Sequence, residues 1–252
     1  MDLRRCQSEC IELFFEMRKK DNYRQAVAAP FLSSADRFLA GPEGRAILLV
    51  GKATDGQWKI EDFDPDTKCH YSERVEERCL TARAFVEKMR DEPKSAFWRF
   101  WRDLNQIGSP VIWTNLSKIG IQSGNPRGWY LQEQSELAVR TLKAEIAEYR
   151  PSLVVLVTSD YAKDETVYQI WPQKLWTISG RDGTCWIVGS GNRTTPVLWT
   201  DHPQGKRRER IRYWLEMANW LITNQDSSLS ADPSKGTKAF MCRLKGDRQD
   251  VF

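Results

Sequence analysis

Histidine is almost absent from this chain: only His70 and His202 occur in 252 residues. That scarcity leaves little material for a hydrolase triad, and neither GxSxG nor HExxH is present. No CxxC occurs, so a structural zinc site is not expected. GxxxxGK[ST] is missing, which excludes a P-loop, and Gly189-Ser190-Gly191 lacks the third glycine of a dinucleotide fingerprint. Long apolar runs are missing too. None approaches the roughly 18 to 20 residues that a membrane-spanning helix needs. The first residues, MDLRRCQSECIELFF, mix charges into apolar positions and show no secretory cleavage pattern. The expectation is a soluble, cytoplasmic protein without a membrane partner.

What is present bounds the answer further. An apolar content of 40% excludes a wholly disordered chain, and the length suffices for one sizeable core. The net charge of +4 permits nucleic-acid binding without requiring it, so the placement of the basic residues matters more than their sum. Cys6, Cys10, Cys69, Cys79, Cys185 and Cys242 are irregularly spaced, which is expected of free thiols in a reducing compartment.

Apolar runs alternate with helix-spaced stripes. Residues 1–40 read as an N-terminal helical segment, with a second helix from about Tyr23 to Leu39. Ala46-Ile47-Leu48-Leu49-Val50 is a continuous apolar run ending at Gly51, as in a buried parallel strand. A polar stretch from Lys52 to about Ser72 is longer than an ordinary connection, and such loops are usually functional or disordered. Helices are predicted over about 74–90, 95–106, 131–149 and 205–222, with a short one near 160–170. Strands are predicted at Val111–Asn115, Leu153–Val157, Lys174–Ile178, Cys185–Val188 and Pro196–Thr200. Phe97-Trp98-Arg99-Phe100-Trp101 carries more rings than one helix face holds, so most are assigned to the core and one to the surface. The pattern predicts a single α/β domain over 1–224, a three-layer α/β/α sandwich with a mainly parallel central sheet. Residues 225–252 form a polar tail expected to be mobile.

In such sheets ligands bind beyond the carboxyl ends of the strands. Four ends qualify: Gly51 onward, Asn115 onward, Thr158-Ser159-Asp160, and Asp201-His202. Asn115 carries an amide able to donate and accept at once, which suits reading a base edge, although it could equally cap the following segment. After His202-Pro203 come Lys206, Arg207, Arg208, Arg210 and Arg212, placing positive charge at a helix N-terminus where it is unfavourable. A phosphate backbone would compensate it, while the same run also suits a solvated helix face.

The ordered set ILLVGKATDG, VIWTN, RPSLVVLV and VLWTDHPQGKRR, spanning about residues 45–222, resembles the uracil-DNA glycosylase superfamily. That resemblance implies a metal-independent, monofunctional DNA glycosylase without cofactor. It would flip a nucleotide out of single- or double-stranded DNA and hydrolyse its N-glycosidic bond to leave an abasic site. Carried over by motif, Asn115 reads the base edge, His202 stabilises the departing base, and the stretch from Gly51 to Gly56 supplies backbone contacts and the water-activating group. The base-binding set is then Gly51, Lys52, Ala53, Thr54, Trp58, Phe63 and Asn115, with Trp58 or Phe63 as the stacking ring. Lys206, Arg207, Arg208 and Arg210 hold the DNA.

This chain departs from the family in the first motif. Lys52 and Ala53 stand where an acid or amide is usual, and Thr54 stands for the usual Pro. The catalytic carboxylate is therefore sought in the following loop, where Asp55 is nearest and Glu61, Asp62 and Asp64 lie further along, with Asp55 and Asp62 as the first candidates. The altered motif argues against ordinary uracil specificity and, with the long loop, suggests a modified or damaged pyrimidine such as a hypermodified phage cytosine, with uracil kept as the other candidate base, in repair or anti-phage defence. The alternative is a non-catalytic DNA-binding protein that senses a modified base. Cys6, Cys10, Cys69 and Cys79 do not fit the spacing of an iron–sulfur cluster found in some relatives. A monomer is expected.

Overall fold

The computed structural model describes residues 2–20, 27–33, 46–53, 71–91, 93, 95–122, 124–171, 175–178, 185–188 and 195–223. Helix α1 covers Leu3–Lys20 and strand β1 Ile47–Gly51. Helices α2 (Tyr71–Asp91) and α3 (Ala96–Asn105) lead to β2 (Val111–Asn115). Then come α4 (Trp129–Tyr149) and β3 (Leu153–Leu156). A π-type turn at Lys163–Val167 runs into the short α5 (Tyr168–Ile170). Strands β4 (Leu175–Ile178), β5 (Cys185–Val188) and β6 (Val197–Thr200) precede α6 (Arg208–Thr223).

The six strands form one sheet in the order β2-β1-β3-β6-β5-β4. The first four run parallel, while β5 and β4 continue antiparallel. Every residue of β1, β2, β3 and β6 is buried, because helices cover both faces. Side chains alternate between the faces, so the runs that look uniformly apolar serve two cores. Ile47, Leu49, Val111, Trp113, Val155 and Leu198 pack under α2, α3 and α6. Leu48, Val50, Ile112, Val154, Leu156 and Trp199 pack under α4 and the 162–171 segment. The described residues thus form a three-layer α/β/α sandwich with a mainly parallel central sheet. Among them, no helix is long and apolar enough to cross a membrane.

Local signals explain the boundaries. Ser95 caps α3, its hydroxyl accepting from the Trp98 backbone N–H at 3.4 Å. At the other end of α4, Arg150 takes a left-handed conformation and Pro151 follows, which cannot continue a helix.

The N-terminal expectation needs correction. Helix occupies Leu3–Lys20, but residues 27–33 are non-helical and buried. Val27 bridges Ile121, the Ala28 N–H donates to the Gly120 carbonyl at 3.0 Å, and the Phe31 N–H donates to that of Lys118 at 2.8 Å. Pro30 explains the difference: it has no N–H and disfavours helical backbone at Ala29. The tail 225–252 lies outside the described residues.

Candidate functional site

The carboxyl ends of the four parallel strands converge. Gly51 and Asn115 are register partners, and the two chains continue side by side: Leu116 N–H donates to Gly51 O and Ser117 N–H to Lys52 O, both at 2.9 Å. On the other side Val157 N–H donates to Val50 O, and Ser159 N–H to Thr200 O at 3.1 Å. Ser159 sits in the left-handed region, φ +52°, where non-glycine residues are strained. That conformation lets its hydroxyl accept from the His202 N–H at 3.2 Å, tying the ends of β3 and β6 together.

These ends floor a cavity of about 920 Å³ whose walls come from α2, α3 and two loops. Gly51, Lys52, Ala53, Asn115 and His202 all line it. So do Phe85, Phe97, Trp98 and Trp113 as apolar wall, with Lys88, Arg99, Asn125 and Gln204 as polar groups. No carboxylate occurs among its described lining residues.

Asn115 is only 1% exposed, and its amide orientation is fixed. The Trp113 indole N–H donates to Asn115 Oδ1 at 3.2 Å. An indole can only donate, so the amide oxygen must face it and the NH₂ must face away. Asn115 Nδ2 has no hydrogen-bond partner among the described residues. Leaving such a buried donor unmade costs about 1–3 kcal/mol, which a ligand acceptor would recover. The side chain bonds to Trp113 and does not cap the following segment. Gly51 is required here: a Cβ on it would lie 2.5 Å from Asn115 Oδ1.

His202 Nδ1 accepts from the Gln204 N–H at 3.3 Å, so the neutral ring carries its proton on Nε2. Its ring lies nearly parallel to Phe97, 13° apart with centroids at 6.0 Å. Burial first, then the positive charges of Lys52 and Lys206, lowers its pKa to about 4. The imidazole is therefore a neutral N–H donor at ordinary pH. An unfolded histidine titrates near 6.5, so the stability tied to neutral His202 is complete above pH 6.5 and is lost as pH falls through 4. Lys52→Met removes one like charge, and the His202 pKa is expected to rise while staying below 6.5, because burial persists. Imidazole chemical shifts followed against pH check this, and an unchanged midpoint would contradict it.

Of the basic run, Lys206 and Arg210 are engaged with the chain itself. Lys206 Nζ and Arg210 Nη2 meet Asp201 Oδ2 at 2.9 and 3.3 Å. The charge at the start of α6 is thus compensated in part by Asp201, while Arg207 and Arg208 are exposed. Thr54, Asp55, Trp58, Asp62 and Phe63 lie outside the described residues.

The sequence reading missed two contributors. Phe97 lines the cavity although most of its aromatic segment is core. Trp113 orients Asn115, and the signal was available, since positions two apart on a strand share a face.

Behind β2, on the face opposite Asn115, lies a buried polar network. Lys118 Nζ contacts Glu145 Oε2 at 2.7 Å and donates to Thr114 Oγ1 at 2.6 Å. Thr114 and Ser33 hydroxyls also donate to the Glu145 carboxylate, at 3.0 and 2.6 Å. Among the described residues, no group of three or more His, Cys, Asp or Glu is placed to hold a metal ion. Cys6, Cys10 and Cys79 are free and buried. Burial pushes the Cys10 thiol up to about 12.

No family model matches this chain, and no curated protein matches it.

Proposed function

We propose that the chain is a metal-independent DNA glycosylase that takes a flipped, modified or damaged pyrimidine into the strand-end cavity and hydrolyses its N-glycosidic bond. One observation carries this reading. The unpaired NH₂ of Asn115 and the neutral imidazole of His202 line the same aromatic-walled cavity. An amide donor suits a ring acceptor on the base edge, and an N–H donor suits the oxygen that gains negative charge as the base departs. Lys52 adds positive charge beside that oxygen. Asp55 or Asp62 would stabilise the oxocarbenium-like sugar and orient water. Arg207 and Arg208 would meet phosphates, with Lys206 and Arg210 beside them. The resemblance to uracil-DNA glycosylases in motif order supports the same assignment, and hypermodified phage cytosine, in anti-phage defence, is the substrate we favour.

The test is abasic-site formation. Purified protein is incubated with DNA carrying uracil, normal bases or phage-type modified cytosines, then treated with alkali. Breaks at one modified or damaged pyrimidine are expected. A second reading, a non-catalytic modified-base sensor, is favoured by Lys52 and Ala53 standing where the family's acid or amide is usual. It predicts no breaks on any substrate together with DNA binding that weakens steeply as salt rises.

A further inference from the structure

The cavity holds a primary amine, Lys52, whose reactivity the base-binding role leaves unused. Lys52 directly follows Gly51, on the strand that lies between β2 and β3. Its side chain lines the cavity between the strand ends that carry Asn115 and His202, and it is half-buried. The neighbouring carboxylate, Asp201, is taken by Lys206 and Arg210. Among the described residues the Lys52 ammonium has no hydrogen bond or ion pair; only the Lys52 backbone carbonyl is engaged, by the Ser117 N–H. The unpaired Asn115 amide on the same wall independently marks this cavity as built for a ligand.

We infer that Lys52 is a nucleophile toward the aldehyde of an abasic deoxyribose, holding the excised product as an imine. This rests on the glycosylase reading above. In a pyrimidine nucleoside the carbonyl next to the glycosidic nitrogen lies beside the sugar C1′. If His202 faces that oxygen, a group near His202 is near C1′, and the Lys52 charge is close enough to depress His202. Burial, together with Lys206 and Arg127, lowers the Lys52 pKa against the opposing pull of Asp201, which enlarges the free-amine fraction.

The chemistry balances without a further reagent. Once the base has left, the sugar opens to an aldehyde at C1′. The Nζ lone pair attacks that carbon, and the carbonyl oxygen departs as water with both amine protons. A C=N bond joins Lys52 to the sugar. No phosphodiester bond breaks, and returning water reverses the link.

The experiment uses the full chain and an oligonucleotide in which the abasic site is formed beforehand, so no excision is needed. Borohydride delivers hydride to the imine carbon and makes the link permanent. A covalent protein–DNA band is expected on a denaturing gel, with the adduct mapped to Lys52 by mass spectrometry. Lys52→Arg, which keeps the charge without a primary amine, should reduce the band at least tenfold, with tryptophan fluorescence confirming its fold. No band with the wild-type chain, an adduct on another residue, or an equal band from Lys52→Arg would each overturn the inference. Base excision without any band would overturn it while leaving the glycosylase reading in place.

Discussion

Glu145→Ala is expected to lower the unfolding free energy by about 3–5 kcal/mol, the usual consequence of removing one partner from a buried ion pair. Glu145 is fully buried and Lys118 only 1% exposed, so the stranded ammonium would have no water to turn to. Thr114 and Ser33 would lose their acceptor in the same step. Urea unfolding measures the effect. The companion double variant Lys118→Met/Glu145→Leu should recover much of the loss, because an apolar pair of similar volume removes both desolvation penalties at once. A loss below about 1 kcal/mol in the single variant would show that the pair is not isolated from solvent. The network also joins α4, β2 and the 31–33 segment, so its failure would loosen the strand that ends in Asn115.

The second large effect concerns His202→Ala. On the glycosylase reading proposed above, the single-turnover excision rate should fall about 10²–10³-fold, the range seen when one donor to a developing negative charge is removed. The loss should appear in the chemical step, since in the proposed mechanism His202 faces charge that exists only as the bond breaks. The wild-type rate should show no inflection near pH 6.5 attributable to His202, because its ring stays neutral down to about 4. Rates measured by alkali cleavage under enzyme excess decide the matter. A variant within tenfold of wild type would remove His202 from the mechanism.

The legible part of this molecule was its sheet. β1, β2 and β3 announce themselves as apolar runs because both faces are covered, and their ends locate Gly51 and Asn115 without further knowledge. His202 followed from the same rule at the end of β6. The stretch around Pro30 was misread because its alanines and leucine suit a helix locally, while its partners on the 118–121 loop are distant in sequence. Lys118 and Glu145 look like solvated charges on paper. Nothing local shows that the fold closes over both. The run after His202 read as uncommitted positive charge, since a sequence cannot show that Asp201 turns back to hold Lys206 and Arg210. Trp113 read as one more apolar residue of a buried strand, and only its indole nitrogen, 3.2 Å from Asn115, reveals a polar duty.

The strand order carries a consequence for how the chain comes into action. β1 and β2, bearing Lys52 and Asn115, arise from the first half of the sequence, and β3 and β6, bearing Ser159 and His202, from the second. Within the sheet the two halves meet along one strand pairing, Ile47 to Val50 against Leu153 to Leu156, and outside it α1 packs on α4. A chain still being synthesised therefore carries the amide long before the imidazole exists, and the two groups share a wall only once the last parallel strand docks. A ligand touching both groups acts as a clasp across that seam, adding its binding free energy to the cohesion of the halves. The meeting of the two groups is a property of the finished molecule, owned by neither half.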